Sequence, residues 1–274
     1  MQNLLGVMQG RLLPKYEGRY QAHPVGYWHQ EFELAKSLGF GAIEFIFDSD
    51  KWADNPLVTE AGLNAIERLV SETGVQVKTV CADFFMEHPF YVTGQRLEFI
   101  EEVFGKLLDG CDYLGVTDIV IPCVDQSSLR DPEKIRTFIA NISKFTSIIE
   151  RKGINLALET DLDPNAFLNL LNSLPSRRFS VNYDSGNSAS LGFNVVEEFE
   201  AYGDRITDVH IKDRIYAGGS VVLGQGAVDF DSFFEMLKKY AFDGPLIMQA
   251  YRDEDGWVIT KDQFEWIRDG FLLN

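Results

Sequence analysis

The chain has 274 residues, of which 45% are hydrophobic and 24% are charged, so it is long enough to bury one large core or two modest ones. Its formal net charge of −17 and its pI near 4.6 argue against nucleic acid as a partner, because binding to phosphate backbones rests on Lys and Arg. The N-terminus has no basic segment before an apolar run, and no stretch of about 18 apolar residues occurs anywhere, which predicts a cytoplasmic protein without a membrane span.

Short strand-like segments alternate with amphipathic helical segments along the whole chain. In chain order we predict strands in LLGVM, AIEFIF, VQVKTVCA, DIVIPCV, NLALET, FSVNYD, ITDVHI and PLIMQAY. Helical patterns lie between them, such as GYWHQEFELAKSLG, TEAGLNAIERLVSETG, GQRLEFIEEVFGKLLDGCDYLG, DPEKIRTFIANISKFTSIIERKG and DSFFEMLKKYAF. Strand–helix units repeated eight times predict an α/β fold, a (β/α)8 TIM barrel that forms a single domain over residues 1–274.

The predicted strands have one apolar and one polar face. In ITDVHIKDR, alternation places Thr207, Val209 and Ile211 on one face and Asp208, His210 and Lys212 on the other. The same alternation predicts an apolar face that includes Ile43, Phe45, Val75, Val77, Leu156 and Leu158, and a polar face that includes Glu44, Gln76, Lys78, Glu159, Asn182 and Asp184. A sheet packed under helices on both sides would be apolar on both faces, so a polar face indicates a barrel interior that opens onto a site.

Potential metal ligands follow the last four predicted strands. These strands end in LALETD, VNYDSGN, DVHIKD and IMQAYR, which places Glu159, Asp184, His210 and Gln249 at equivalent heights. Active sites of such barrels lie at this end of the strands. Two carboxylates in a partly buried pocket repel each other and lose hydration, so a divalent cation is their natural neutraliser. Mixed oxygen and nitrogen ligands suit Mn, Mg, Co or Zn, and we therefore predict one divalent metal ion on these four residues.

These motifs resemble those of the xylose-isomerase-like TIM barrels, a family of sugar and sugar-phosphate isomerases and epimerases, inosose dehydratase and endonuclease IV. The resemblance is carried by ALETD, NYDSGN, VHIKD, LGQGAVDF and DGPLIMQ. It implies one divalent metal ion on the same four residues, a carbohydrate substrate bound through a hydroxyl and a carbonyl, and a homo-oligomer. In the ketose 3-epimerases of this family, the strand-five and strand-eight ligands are both glutamates and act as the two acid/base groups.

The chain departs from that pattern at two positions. Gln249 occupies the strand-eight position, and an amide can bind a metal through its oxygen but cannot carry a proton between carbons. Asn187 stands three residues after Asp184, where many relatives have a histidine that contacts substrate. An endonuclease of the three-metal type is not expected, because it needs many histidines and this chain has four.

The residues present support proton-transfer chemistry with Glu159 as the base. We expect a polarised carbonyl and removal of the adjacent C–H proton, which gives a metal-bound enediolate. Return of the proton to the neighbouring carbon on the same face is isomerisation, whereas return from the opposite face is epimerisation and requires a second acid. The candidates for that second acid are His88, Lys212, Asp213 and Glu44.

We predict an isomerase or epimerase of a small sugar or sugar phosphate in carbohydrate metabolism. The alternatives are a metal-dependent dehydratase of the inosose type, which would lose hydroxide from the same intermediate, and a non-catalytic carbohydrate-binding relative, which Gln249 suggests.

Further residues near the strand ends are assigned to catalysis or to substrate. Lys212 and His88 join Glu159 as catalytic candidates. Arg11 and Arg252 follow strands one and eight, where a guanidinium group can hold a phosphate or a carboxylate. The substrate-binding candidates are Arg11, Glu44, Asn187, Asp213, Arg214 and Arg252. The glycine-rich connection from Arg214 to Asp229 is expected either to close over the substrate or to cradle a phosphate.

Overall fold

The computed structural model describes residues 3–272, and within them eight parallel strands close into a barrel in chain order. The strands are β1 Leu5–Met8, β2 Ala42–Ile46, β3 Thr79–Cys81, β4 Asp118–Cys123, β5 Asn155–Thr160, β6 Phe179–Asp184, β7 Ile206–Ile211 and β8 Leu246–Met248. Closure is made by β8, which pairs with both β7 and β1. The predicted TIM barrel is therefore confirmed.

The same residues form helices that surround the barrel: α1 Glu31–Leu38, α2 Glu60–Thr73, α3 Phe84–Glu87, α4 Gln95–Leu114, α5 Pro132–Ile142, α6 Thr146–Lys152, α7 Pro164–Ser173, α8 Ser185–Leu191, α9 Val195–Tyr202, α10 Phe230–Lys239 and α11 Trp257–Ile267. The segment predicted as one helix from 131 to 153 is divided by a 3-10 turn into α5 and α6. Within residues 3–272, no helix combines the length and the apolar character that crossing a membrane would require.

Local sequence signals explain where the helices begin and end. The Asp131 and Asp163 carboxylates accept hydrogen bonds from main-chain N–H groups at the starts of α5 and α7, and each is followed by a proline, whose missing N–H costs nothing at that position. Gly74 and Gly115 end α2 and α4 with positive φ, a conformation that glycine adopts without steric cost. The predicted helix boundaries follow from these caps.

Two apolar layers enclose the sheet. The larger layer lies between strands and helices, and it contains the predicted apolar face, including Ile43, Phe45, Val209 and Ile211. A smaller cluster fills part of the barrel interior and consists of Met8, Ile46, Cys81, Val120, Ala157 and Ile247. The rest of the interior is polar, as predicted, and it holds the buried side chains of Glu44, Asn182, Asp208 and His210.

The predicted facing of the third strand is wrong at Lys78, whereas Val75 and Val77 pack in the outer layer as predicted. Val80 pairs with Phe45, and Cys81 pairs with Ile46, so Cys81 is the residue that points into the barrel. Lys78, which was assigned to the polar interior, precedes the strand, and its Nζ donates to the Gly115 carbonyl. The alternation breaks because Val77 and Val80, three positions apart, both pack in the outer layer.

A register shift between β6 and β7 brings two predicted ligands level with each other. Val181 pairs with Ile206, but the next pair is Asn182 with Asp208, so Thr207 is an extra residue on β7. The prediction for Thr207 is therefore wrong: its Oγ1 lies 2.7 Å from the Oγ of Ser180, on the polar side of the sheet. Beyond the shift, Asp184 pairs directly with His210.

Candidate active site

A cavity of about 450 Å³ opens at the carboxyl ends of the strands. Its walls include five residues predicted for the site: Glu159, Asn187, Lys212, Arg214 and Gln249. The other lining residues are Tyr20, Gln21, Asp83, Met86, Pro122, Val124, Asp125, Arg130, Asp161, Ser190, Leu191 and Ser220. The cavity therefore combines carboxylates, cations and amides with few apolar side chains.

Glu159 and Asp184 are buried carboxylates linked through Asn187. Asp184 caps α8, and its Oδ1 accepts a 2.7 Å hydrogen bond from the Asn187 main-chain N–H. The Asn187 side-chain amide donates to Glu159 Oε1, and its oxygen accepts a 2.8 Å hydrogen bond from Arg214. Burial, followed by the nearby Asp184 carboxylate, raises the pKa of Glu159 to about 7. Glu159 is therefore poised to exchange a proton near neutral pH.

His210 lies at the centre of the polar interior with two different ring nitrogens. Its Nε2 is 2.7 Å from Glu44 Oε1 and 3.5 Å from Asp208 Oδ2. Its Nδ1 has no hydrogen-bond partner among residues 3–272 and lies 4.0 Å from Asp184 Oδ2. Burial alone would lower the pKa of this imidazole, but the Glu44 and Asp208 carboxyl groups outweigh burial and raise it to about 10.

Glu44, Asp208 and His210 form a candidate metal site. All three are buried, and one ligand atom from each lies within 4.8 Å of the other two. In this arrangement, however, the Nε2 of His210 is already hydrogen-bonded to Glu44, whereas Nδ1 faces Asp184. A carboxylate that accepts from one ring nitrogen usually orients the imidazole so that the other nitrogen can bind a metal. The geometry thus contains two adjacent donor sets that share His210. The lower donor set consists of Glu44, Asp208 and Nε2 of His210, and the upper donor set consists of Glu159, Asp184 and Nδ1 of His210.

Lys212 and Gln249 meet at the edge of the upper donor set. The Lys212 ammonium lies 3.3 Å from Asp184 Oδ2 and 3.1 Å from Gln249 Oε1. Its stem passes so close to the start of α8 that a Cβ at Gly186 would lie 2.8 Å from Lys212 Cγ, so glycine is needed there. Gln249 thereby presents its oxygen toward Asp184, and its Nε2 donates to Gln21.

Arg11 and Arg252, predicted to hold an anion, are buried and do not line the cavity. Arg11 Nε donates to the Ala250 carbonyl at 3.0 Å. The Arg252 guanidinium donates to the carbonyls of Gly10 and Leu13, the latter at 2.6 Å. Both arginines therefore tie the segment after β1 to the segment after β8, because buried main-chain carbonyls need donors.

Asp213, His88 and Glu44 also lie outside the cavity lining. Asp213 is buried, and its carboxylate accepts from three main-chain N–H groups between 224 and 228, so it orders the long loop. His88 stacks on Phe84 with ring centroids 4.4 Å apart, and it lines a separate, larger cavity of about 790 Å³. Glu44 is fully buried beside His210.

Sequence reasoning missed Asp83 and Gln21, which line the cavity. Gln21 Nε2 donates to Asp83 Oδ2 at 2.8 Å, and the Cys81 thiol donates to Asp83 Oδ1 at 3.2 Å. Asp83 is the second residue after β3, so the strand-end argument that identified Glu159 could have found it. Gln21 lies in a loop without periodicity, and no sequence signal marks it.

The closed barrel and the polar cluster at its carboxyl end agree with a known family. The profile of the family described as xylose isomerase-like TIM barrel matches residues 32–270. The chain therefore belongs to the xylose isomerase-like TIM barrel family, as its motifs predicted.

Individual relatives are distant and cover nearly the whole chain. L-ribulose-5-phosphate 3-epimerase UlaE of Shigella flexneri is 25% identical over 260 residues, which cover 88% of this chain and 89% of UlaE. D-allulose 3-epimerase from Methylomonas sp., in complex with D-allulose, superposes with a TM-score of 0.77 at 17% identity over 97% and 96% of the two chains. The IOLI protein with a bound zinc atom gives a TM-score of 0.73 at 17% identity over 97% and 98%. Homologues of this chain are thus sugar epimerases, and the structural matches share its fold.

Proposed function

We propose that this chain is a divalent-metal-dependent isomerase or epimerase of a small sugar or sugar phosphate. The observation that carries the proposal is the convergence of Glu159, which lines the cavity, with two buried groups next to it, Asp184 and the unpartnered Nδ1 of His210. Curated relatives that act on L-ribulose 5-phosphate support the reaction class. The cavity volume of about 450 Å³ also falls in the usual range for small-molecule sites.

The donor set fits one divalent ion such as Mn, Mg, Co or Zn. Glu159 and Asp184 offer carboxylate oxygens, His210 offers Nδ1, and Gln249 offers an amide oxygen. We place the ion here and not between Glu44 and Asp208, because those two groups already engage Nε2 of His210 and thereby orient the ring. A bound divalent ion polarises a carbonyl and makes the adjacent C–H more acidic.

Each polar residue of the site has a separate role in the proposed reaction. Glu159, a carboxylate that lines the cavity, removes the proton beside the carbonyl. Asn187 and Arg214 hold the Glu159 carboxylate in place through linked hydrogen bonds. The Lys212 ammonium stabilises the oxyanion of the enediolate by its charge.

A phosphate group on the substrate would require a cationic partner in the cavity. Arg214 and Arg130 are the guanidinium groups of the described cavity wall, and Arg130 is paired with Asp161 at 3.2 Å. A sugar phosphate would have to displace that pairing or use Arg214. A homo-oligomer stays a prediction, which sedimentation of the purified protein tests.

The position of the metal is tested with two matched variants, Asp184→Asn and Asp208→Asn. Both aspartates are buried and lie near His210, but only Asp184 belongs to the upper donor set. We expect Asp184→Asn to weaken Mn binding at least 100-fold, and Asp208→Asn to weaken it by less. The reverse order would place the metal between Glu44, Asp208 and His210.

The reaction is tested by NMR in D2O with Mn present. The protein is incubated with D-allulose or with L-ribulose 5-phosphate, and loss of the C3 proton signal is followed. We expect exchange with at least one of the two. In Glu159→Gln, exchange should be lost for the epimer from which Glu159 takes the proton. Elimination of water would instead indicate a dehydratase, and sugar binding without exchange or elimination would indicate a carbohydrate-binding relative.

A further inference from the structure

Epimerisation needs a second acid, and the structure reduces the number of residues that could supply it. This inference rests on the proposed function. Gln249 carries an amide and cannot supply a proton. Of the groups predicted as substitutes, Glu44, Asp213 and His88 lie outside the described cavity lining, and Asp213 is fully engaged by three main-chain N–H groups.

Four carboxyl side chains of residues 3–272 line the cavity: Asp83, Asp125, Glu159 and Asp161. Asp161 is occupied by Arg130 at 3.2 Å and by the Ser128 hydroxyl at 2.8 Å. Asp125 is an exposed residue of a 3-10 turn. With Glu159 as the base, Asp83 is the remaining carboxyl group of the described cavity wall; it accepts from the Gln21 amide and the Cys81 thiol, which are neutral donors, and not from a cation such as Arg130.

The Gln21 side chain links Asp83 to Gln249, the position at which the 3-epimerases of the family have a glutamate. Gln249 Nε2 donates to Gln21 Oε1 at 3.0 Å, and Gln21 Nε2 donates to Asp83 Oδ2 at 2.8 Å. This chain of hydrogen bonds fixes the orientation of Gln21 and holds Asp83 at the cavity wall. Burial raises the pKa of Asp83, which favours its protonated form.

Asp83 and Glu159 also approach the cavity from different directions. Asp83 follows β3 and Glu159 lies on β5, with β4 between them in the closed barrel. The two carboxyl groups therefore reach the cavity from two strands that are not neighbours.

We propose that Asp83 is the second acid/base of a 3-epimerase, in the role that Gln249 cannot fill. Glu159 removes the proton from C3 of a 2-keto sugar, and the C–H electron pair forms the C2–C3 double bond of an enediolate. The Asp83 carboxyl group then donates its proton to C3 from the opposite face, and the C2 carbonyl re-forms. No electrons are gained or lost, and proton exchange with solvent restores Glu159 to the ionised form and Asp83 to the protonated form.

The test separates proton exchange from inversion in Asp83→Asn, Glu159→Gln and the unmodified protein. Each protein is given D-allulose and D-fructose, and then L-ribulose 5-phosphate and its C3 epimer, with Mn in D2O. Deuterium at C3 and the amount of the opposite epimer are both measured by NMR. Glu198→Gln serves as a matched loss of one buried carboxylate outside the cavity lining. Thermal unfolding and Mn affinity check that each variant is folded.

We expect Asp83→Asn to lose inversion at least 100-fold while it still exchanges the C3 proton of the epimer on which Glu159 acts. Glu159→Gln should also lose inversion, but it should still exchange the C3 proton of the epimer on which Asp83 acts. Glu198→Gln should keep inversion within tenfold of the unmodified protein.

Inversion within tenfold of the unmodified protein in Asp83→Asn would overturn the assignment, and Lys212 would become the acid to test. Loss of exchange from both epimers in Asp83→Asn, with Mn affinity unchanged, would also overturn it. If Asp83→Asn fails to fold, Glu159→Gln provides the test. Exchange of the C3 proton of only one epimer by Glu159→Gln would support Asp83 as the second acid/base, and exchange of neither epimer would overturn the assignment. Absence of exchange in the unmodified protein would instead refute the proposed function itself.

Discussion

Replacing Glu44 with glutamine should weaken metal binding although Glu44 lies below the cavity. The Glu44 carboxylate can only accept a hydrogen bond, so it keeps a proton of His210 on Nε2, 2.7 Å away. Nδ1, which faces Asp184, is then the nitrogen that gives up its proton to bind a metal. A glutamine amide can donate to Nε2 instead. That tautomer carries its proton on Nδ1, which then cannot bind a metal.

The size of the effect follows from the hydrogen bond that is lost. A buried hydrogen bond to a charged group contributes about 1.5–3 kcal/mol, and about 1.4 kcal/mol corresponds to a tenfold change in affinity. Mn binding to Glu44→Gln should therefore weaken about 10- to 100-fold, the range typical of groups that orient a metal ligand. Glu44 is fully buried, so solvent does not screen the interaction.

The assay is calorimetric titration of the metal-free protein with Mn. Glu198→Gln is the matched control, because Glu198 is also buried but accepts from Ser188, Tyr183 and Tyr202, away from the cavity. This control should bind Mn as the unmodified protein does. Mn affinity of Glu44→Gln within twofold of the unmodified value would refute the argument that Glu44 orients His210.

Two further predictions concern the segment after β1. Arg252→Met should lower the free energy of unfolding by about 3 kcal/mol, because it removes the guanidinium donor of the buried Leu13 carbonyl and one of the two donors of the Gly10 carbonyl. Urea unfolding measures this loss, and unchanged stability with a raised KM would show that Arg252 contacts substrate instead. Glu31 accepts from the main-chain N–H groups of Gly10 and Leu12, and burial raises its pKa from 4.5 to about 7. The folded state therefore holds this proton more tightly, so stability should fall by about 3 kcal/mol as pH rises from 4.5 to 7. Glu31→Gln should remove that part of the pH dependence in urea unfolding at pH 5 and pH 8, and an identical fall in both proteins would contradict it.

Much of the fold could be predicted because it depends on local patterns. The hydrophobic periods of strands and helices can be recognised from consecutive residues. Eight strand–helix repeats are compatible with few arrangements other than a closed parallel barrel. The strand-end argument also identified Glu159, Lys212 and Gln249 as cavity residues, because side chains at the carboxyl ends of parallel strands meet at one face.

The site required the tertiary structure wherever the chain departs from a regular period. Alternation misplaced Lys78 and Thr207, and the extra residue at Thr207 is what brings Asp184 opposite His210. A register shift of this kind depends on pairing with the neighbouring strand, which the sequence of one strand does not contain.

The hydrogen-bond partners of the polar side chains also depend on the tertiary structure. By sequence alone, Arg11 and Arg252 are free cations near the strand ends, whereas in the fold they are bound to main-chain carbonyls. Asp83 and Gln249 lie 166 positions apart in sequence, yet Gln21 joins them. The sequence by itself determined the barrel and the end at which its polar residues gather. Only the tertiary structure decided which of these groups are already paired and which remain free to act, because a hydrogen-bond partner is a matter of distance in space.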